Sequence, residues 1–163
     1  MTTANYDISV EVDVDPHGAG VASLERLAAE VMVGESVAGG TGLTVLITSD
    51  DEMQRLNLAF LGVDAPTDVL SFPDEADSGE ADDFIVGDDA EPYLGDIAIG
   101  IETSMRQAEE HDHSLDAELA HLLVHGILHL CGYDHETGPE DEARMRAREE
   151  RYLGDLAHVH PPH

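Results

Sequence analysis

His125-Gly126-Ile127-Leu128-His129-Leu130-Cys131-Gly132-Tyr133-Asp134-His135 sets three imidazoles at a spacing suited to one metal ion. On an α-helix, residues four apart lie about 40° apart around the axis and about 6 Å along it, so His125 and His129 share a face. A third ligand on the same straight helix would sit too far along, so the helix has to stop and the chain has to turn. Gly132 supplies the stop, because glycine takes a left-handed conformation without a Cβ clash, and the Tyr133-Asp134 turn then swings His135 toward the ion. A lone H-x-x-x-H on an apolar helix is usually a pair of ordinary histidines; the helix-stopping glycine and the third His move the reading to one Zn²⁺ per chain. Three neutral His leave the fourth tetrahedral position open to water, as in a catalytic site. Such a water approaches a pKa of about 7 and serves as nucleophile or base at a phosphodiester. Asp134 is the nearest carboxylate for handling a proton, or else it shapes the turn.

The spacing is like that of the metzincin proteases, whose second position is a general-base Glu. Here that position is Gly126, which cannot move a proton. The whole string instead closely resembles the signature of the YbeY endoribonuclease family of bacterial rRNA maturation factors. Two further segments agree, Asp64-Ala-Pro66-Thr67-Asp68-Val69-Leu70-Ser71-Phe72-Pro73 and Leu94-Gly95-Asp96-Ile97-Ala98-Ile99, and the match covers about residues 5 to 153 in order. The resemblance implies a metal-dependent hydrolase: a zinc-dependent, single-strand-specific endoribonuclease acting in rRNA maturation and ribosome quality control. Its partners would be single-stranded or ribosomal RNA, the ribosome and a protein partner. One departure is Leu61, which follows Phe60 where related sequences usually carry an arginine suited to gripping a phosphate. The rival readings are a metzincin-like zinc peptidase and a non-catalytic ribosome-assembly factor with a structural zinc.

Length and composition agree with one domain: 163 residues, 42% apolar. The charge is unusual, with 36 Asp plus Glu against 7 Lys plus Arg, a net charge of −29 and no lysine. Such a chain repels itself at low salt and stays soluble, which fits adaptation to high salt. A polyanion is also a poor generic binder of nucleic acid. Residues 1–15 lack the basic and apolar regions of a secretory signal, and no run reaches the length of a membrane span. The single Cys131 excludes an intramolecular disulfide and fits a reducing cytoplasm; beside Gly132 it reads as a small buried residue.

Working outward, alternation of Ile8, Val10, Val12 and Val14 predicts a strand over 6–14, and Val21, Leu24, Leu27, Ala28 and Val31 predict a helix over 20–34. A strand at 43–48 leads into a helix capped by Ser49 or Asp50 and carrying Met53, Leu56 and Phe60. A Pro-bearing turn at 64–68 runs into the strand 69–72. There Thr67, Asp68 and Ser71 form a polar lip near the site or simply satisfy backbone groups. Residues 74–91 read as an acidic insertion loop. A strand at 93–100, a helix at 101–111 and a Ser114-capped helix at 115–131 follow. Asp96 either supports the metal from behind its ligands or caps a strand end, and His121 reads as a partly buried histidine.

Thr137 and Glu140 have the form of a capping box for a last helix over 138–153. It carries Arg144, Arg146, Arg148 and Arg151, with Glu140 and Arg144 spaced as an i,i+4 pair. With no lysine present, Arg144, Arg148 and Arg151 are the remaining candidate RNA contacts. The fold expected is a single α+β domain over 1–154, with a four-stranded mixed sheet, about five helices and a metzincin-like metal-binding helix-turn. The tail 155–163, with His158, His160 and His163, is expected to be disordered.

Overall fold

The alternating apolar residues Ile8, Val10 and Val12 form β1 (Asp7–Val12), an edge strand exposed on one side. The structure, a computed structural model, describes residues 6–15, 20–73, 92–132 and 138–153. The acidic segment 74–91 and the tail from 154 onward lie outside the described residues, as do 133–137. After β1 come α1 (Val21–Gly34), β2 (Gly42–Thr48), α2 (Asp50–Leu61), β3 (Val69–Pro73), β4 (Tyr93–Gly100), α3 (Ile101–Glu110), α4 (Leu115–Leu130) and α5 (Pro139–Leu153). The sheet order is β1-β2-β4-β3, with β1, β2 and β4 parallel and β3 antiparallel to β4. Among the described residues this is the expected α+β arrangement, a four-stranded mixed sheet with five helices.

The two faces of the sheet are unequal. Leu43, Val45 and Ile47 of β2 and Ile97 and Ile99 of β4 point to one side and join Leu24, Ala28 and Val31 of α1 and Leu119, Leu123 and Ile127 of α4 in the main core. The other side carries a smaller hydrophobic cluster, Met53 of α2 with Leu70 and Ala98, against which Leu56 and Phe72 pack. Serine caps set the entries of α2 and α4, the Ser49 side chain accepting from Glu52 N–H at 3.2 Å and Ser114 from Ala117 N–H at 3.1 Å.

α4 is the central helix, touching α1, α3, α5, β3 and β4. The sequence suggests one apolar face, yet Glu118, His121, Val124, Gly126 and Leu128 are buried as well as the expected leucines. Neighbours on all sides account for the difference. Gly126 lies at the crossing over the sheet: a Cβ there would meet Ile97 Cδ1 at 3.1 Å and Ser71 Oγ at 3.2 Å. The expected stop is present, with Cys131 as C-cap and Gly132 at φ 106° donating its N–H to the His129 carbonyl at 3.0 Å.

α5 is tied to α1 by Arg148, whose Nε and Nη2 reach Glu35 Oε2 at 2.9 and 2.6 Å while Nη2 also donates to the Gly34 carbonyl at 3.2 Å. Tyr152 donates its hydroxyl to the same Glu35 oxygen. Burial, and then the hydrogen bond and charge of Glu35, push the Tyr152 phenol up to about 12.

Two consequences can be measured. Arg148→Met leaves the Glu35 carboxylate, 5% exposed, without its guanidinium, and urea unfolding should show a loss of about 1–3 kcal/mol. An unchanged midpoint would mean the pair contributes nothing. Gly126→Glu forces a carboxylate between α4 and the sheet and should cost more than about 3 kcal/mol, with no peptidase activity gained. A stably folded variant that cleaves casein would contradict the packing at this crossing.

Candidate functional site

Residues 118, 121, 125 and 129 recur every three or four positions, so Glu118, His121, His125 and His129 line one face of α4. Two of these rings converge at the C-terminal half of the helix: Nε2 of His125 and Nε2 of His129 are 3.0 Å apart, with the rings edge to face at 4.6 Å. Two zinc ligands at 2.0–2.1 Å in tetrahedral geometry stand about 3.3 Å from each other, so a small side-chain adjustment admits an ion between these nitrogens. The two side chains therefore fit a metal as donors.

The orientation of His125 is fixed from behind. Its Nδ1 lies 2.8 Å from Glu149 Oε2 on α5, and the carboxylate is 12% exposed. With the proton on Nδ1 donated to Glu149, the Nε2 lone pair is left facing Nε2 of His129, the tautomer a metal ligand needs. Burial alone would raise the Glu149 carboxyl, but the His125 hydrogen bond and the charges of His125, His121 and Arg146 hold it below the ordinary carboxylate range. His121, expected to be partly buried, is buried; its ring stacks on His125 at 6.4 Å and its Nε2 stands 4.0 Å from Glu149 Oε1.

The third expected ligand, His135, and the proton-handling candidate, Asp134, lie outside the described residues. Ser71 does reach α4, donating its hydroxyl to the Gly126 carbonyl at 3.3 Å, one residue from His125. Thr67 and Asp68 serve the turn. Asp68 Oδ1 accepts from the Val69 N–H at 2.7 Å and the Asp68 carbonyl from Gly100 N–H at 2.9 Å.

Three expectations need correction. Asp96 pairs in register with Phe72, which packs on Phe60 of α2, so its side chain stands on the α2 face, away from the histidines. There it accepts from the Tyr93 hydroxyl. Arg148 is committed to Glu35 and Gly34, and Arg144 bonds Asp141 at 2.8 Å instead of Glu140, because the i,i+3 neighbour sits closer to its guanidinium in this first turn. Of the expected basic face, Arg151 is exposed beside Tyr152, 5.8 Å from the ring centroid. Leu61, where related sequences carry an arginine, is 60% exposed at the end of α2, beside exposed Leu58, Phe60 and Val63.

Glu149 escaped the sequence reading, and with reason: it is 24 residues from His125, and nothing local marks it among the acidic residues of α5. A second cluster was missed too. His111, His113 and Glu118 bring their ligating atoms within 4.8 Å of one another at the turn between α3 and α4, and its H-x-H pattern was the available signal.

Comparison with known proteins points one way. A profile of the endoribonuclease YbeY family matches residues 13–157. Proteins named endoribonuclease YbeY from Roseiflexus castenholzii and Chloroflexus aggregans are 50% identical over 153 residues and 51% identical over 151 residues. These alignments span 92% and 93% of this chain and 94% and 96% of those proteins. The protein of the same name from Bacillus licheniformis is 44% identical over 133 residues, 82% of this chain and 83% of its own length. The solution structure of TM1509 from Thermotoga maritima superposes with a TM-score of 0.58 at 28% identity, covering 93% of this chain and 88% of that one. By its sequence and by the fold that carries its paired histidines, the chain belongs to the endoribonuclease YbeY family.

Proposed function

We propose that this protein is a zinc-dependent endoribonuclease that cleaves single-stranded RNA in the cytoplasm, within rRNA maturation and ribosome quality control. The observation that carries the reading is the convergence of His125 Nε2 and His129 Nε2 at 3.0 Å with His125 oriented by Glu149. His135, three residues past the helix-stopping Gly132, is the third ligand in this reading. A zinc ion bound there supplies a Lewis acid for a phosphoryl oxygen and acidifies water toward neutral pH. The chain's own part is to keep the His125 proton on Nδ1, to hold both Nε2 lone pairs toward one point, and to hold the carboxylate of Glu149 ionised behind them. Asp134, beside His135, is the carboxylate proposed to handle a proton during strand cleavage. Ser71 is proposed as the polar lip beside the histidines; Thr67 and Asp68 hold the turn before it.

The surface sets a condition on this activity. A net charge of −29 opposes approach of a polyanion, and the arginine expected after Phe60 is replaced by an exposed leucine. Exposed Arg144 and Arg151 are the basic side chains proposed to touch the strand. Intrinsic RNA binding is therefore weak, and the substrate is presented by the ribosome or a protein partner, or reached when salt and Mg²⁺ screen the charge.

No helix among the described residues is long and apolar enough to cross a membrane.

His129→Ala should abolish chelator-sensitive cleavage of single-stranded RNA by the zinc-loaded protein; full activity in that variant would remove the histidines from the mechanism. Glu149→Gln should weaken zinc binding by about 10- to 100-fold, because an amide holds the His125 proton less firmly than a carboxylate. Competition with a zinc indicator measures this, and unchanged affinity would make Glu149 a packing residue only. Leu61→Arg, at an exposed site, should tighten binding of single-stranded RNA by about 1–2 kcal/mol at matched salt. No change would mean that position 61 lies off the path of the strand.

A further inference from the structure

The N-terminal end of α4 carries its own arrangement of metal-ligating side chains. Glu118 precedes His125 by seven residues, about 10 Å along the helix, so the two groups of side chains are separate. The turn between α3 and α4 is what assembles them. His111 is the C-cap of α3, and Asp112 takes a left-handed φ of 58°. The Asp112 N–H reaches back to the Glu109 carbonyl at 3.2 Å and the His113 N–H to the Ala108 carbonyl at 3.0 Å. That pair of bonds is a Schellman stop, which requires a left-handed residue where Asp112 stands, and aspartate tolerates this better than most side chains. The reversal places the His111 and His113 rings 5.8 Å apart, and the first turn of α4 brings Glu118 to them. His113 Nε2 is 2.7 Å from Glu118 Oε1, and ligating atoms of all three residues fall within 4.8 Å.

The burial is what makes this more than a surface coincidence. The Glu118 side chain is 0% exposed and that of His113 is 9% exposed. A carboxylate out of water needs positive charge nearby. Neutral imidazole offers it a hydrogen bond; a dication bound by the same three groups offers charge. Two imidazole nitrogens and one carboxylate oxygen are a donor set suited to zinc, and partly exposed His111 leaves solvent access to a fourth position. We propose that His111, His113 and Glu118 bind a second divalent transition-metal ion of the zinc class, which pins the α3–α4 turn independently of the histidines farther along α4.

The test uses the full chain with His158, His160 and His163 changed to Ala, so that the tail takes no metal. The protein is stripped with chelator, reloaded with Zn²⁺, gel-filtered and analysed for bound zinc, with circular dichroism confirming that each variant is folded. Two equivalents are expected. His111→Ala, a change at a partly exposed turn, should remove one of them, and Glu118→Gln should do the same. His129→Ala should remove only the other. A single equivalent that His111→Ala removes and His129→Ala spares would support this site while overturning the zinc assignment of the proposed active site. Two equivalents undisturbed by His111→Ala, a single equivalent that His111→Ala leaves in place, or no retained zinc would overturn the second site.

Discussion

A charged carboxylate buried between two helices is the constraint on which the rest of this structure turns. Glu149 stands 12% exposed on α5, where desolvation works against its charge, and the His125 hydrogen bond, with help from His121 and Arg146, more than offsets that cost. One contact thereby joins α4 to α5, decides which His125 nitrogen keeps the proton, and directs the other nitrogen toward His129. Because α4 is enclosed by three helices and two strands, its ring positions are set by the whole core and not by a flexible loop.

The same helix explains why part of the site was legible in the sequence and part was not. His125 and His129 obey a local rule, the four-residue repeat of a helix, and Gly132 obeys another, so both the shared face and the stop could be read from spacing alone. The strands were legible for the same reason, since Ile8, Val10 and Val12 alternate with polar neighbours and Ile97 and Ile99 recur at the period of two. Glu149 follows no local rule. Its role depends on how α5 packs on α4, and no spacing within α5 separates it from its acidic neighbours. Asp96 failed in the opposite sense: its position next to the apolar run of β4 suggested a supporting role, but strand parity sends it to the α2 face, with Phe72. Arg148 likewise looked like one of a basic row until α1 came within reach and Glu35 claimed it.

Charge and chemistry pull in different directions here. An excess of acidic side chains keeps the chain soluble and self-repelling, while a nuclease must admit a phosphate backbone. The described basic groups largely serve the protein itself: Arg55 pairs with Glu52, Arg106 with Asp50 and Arg148 with Glu35. The exposed apolar end of α2, with Leu61 where an arginine was expected, adds no positive charge. In the proposed function this acidic surface is why screening or a partner is needed to bring the substrate to the histidines.

The central claim is that His125 and His129 are co-ligands of one ion, with His125 oriented by Glu149. Diffraction from crystals of the zinc-loaded protein, recorded at the zinc absorption edge, addresses it most directly. The account predicts an anomalous peak about 2.0–2.1 Å from both His125 Nε2 and His129 Nε2, with His125 Nδ1 still on the Glu149 carboxylate and His135 as the third ligand. A map in which those two nitrogens remain bonded to each other, with no anomalous peak between them, would contradict it.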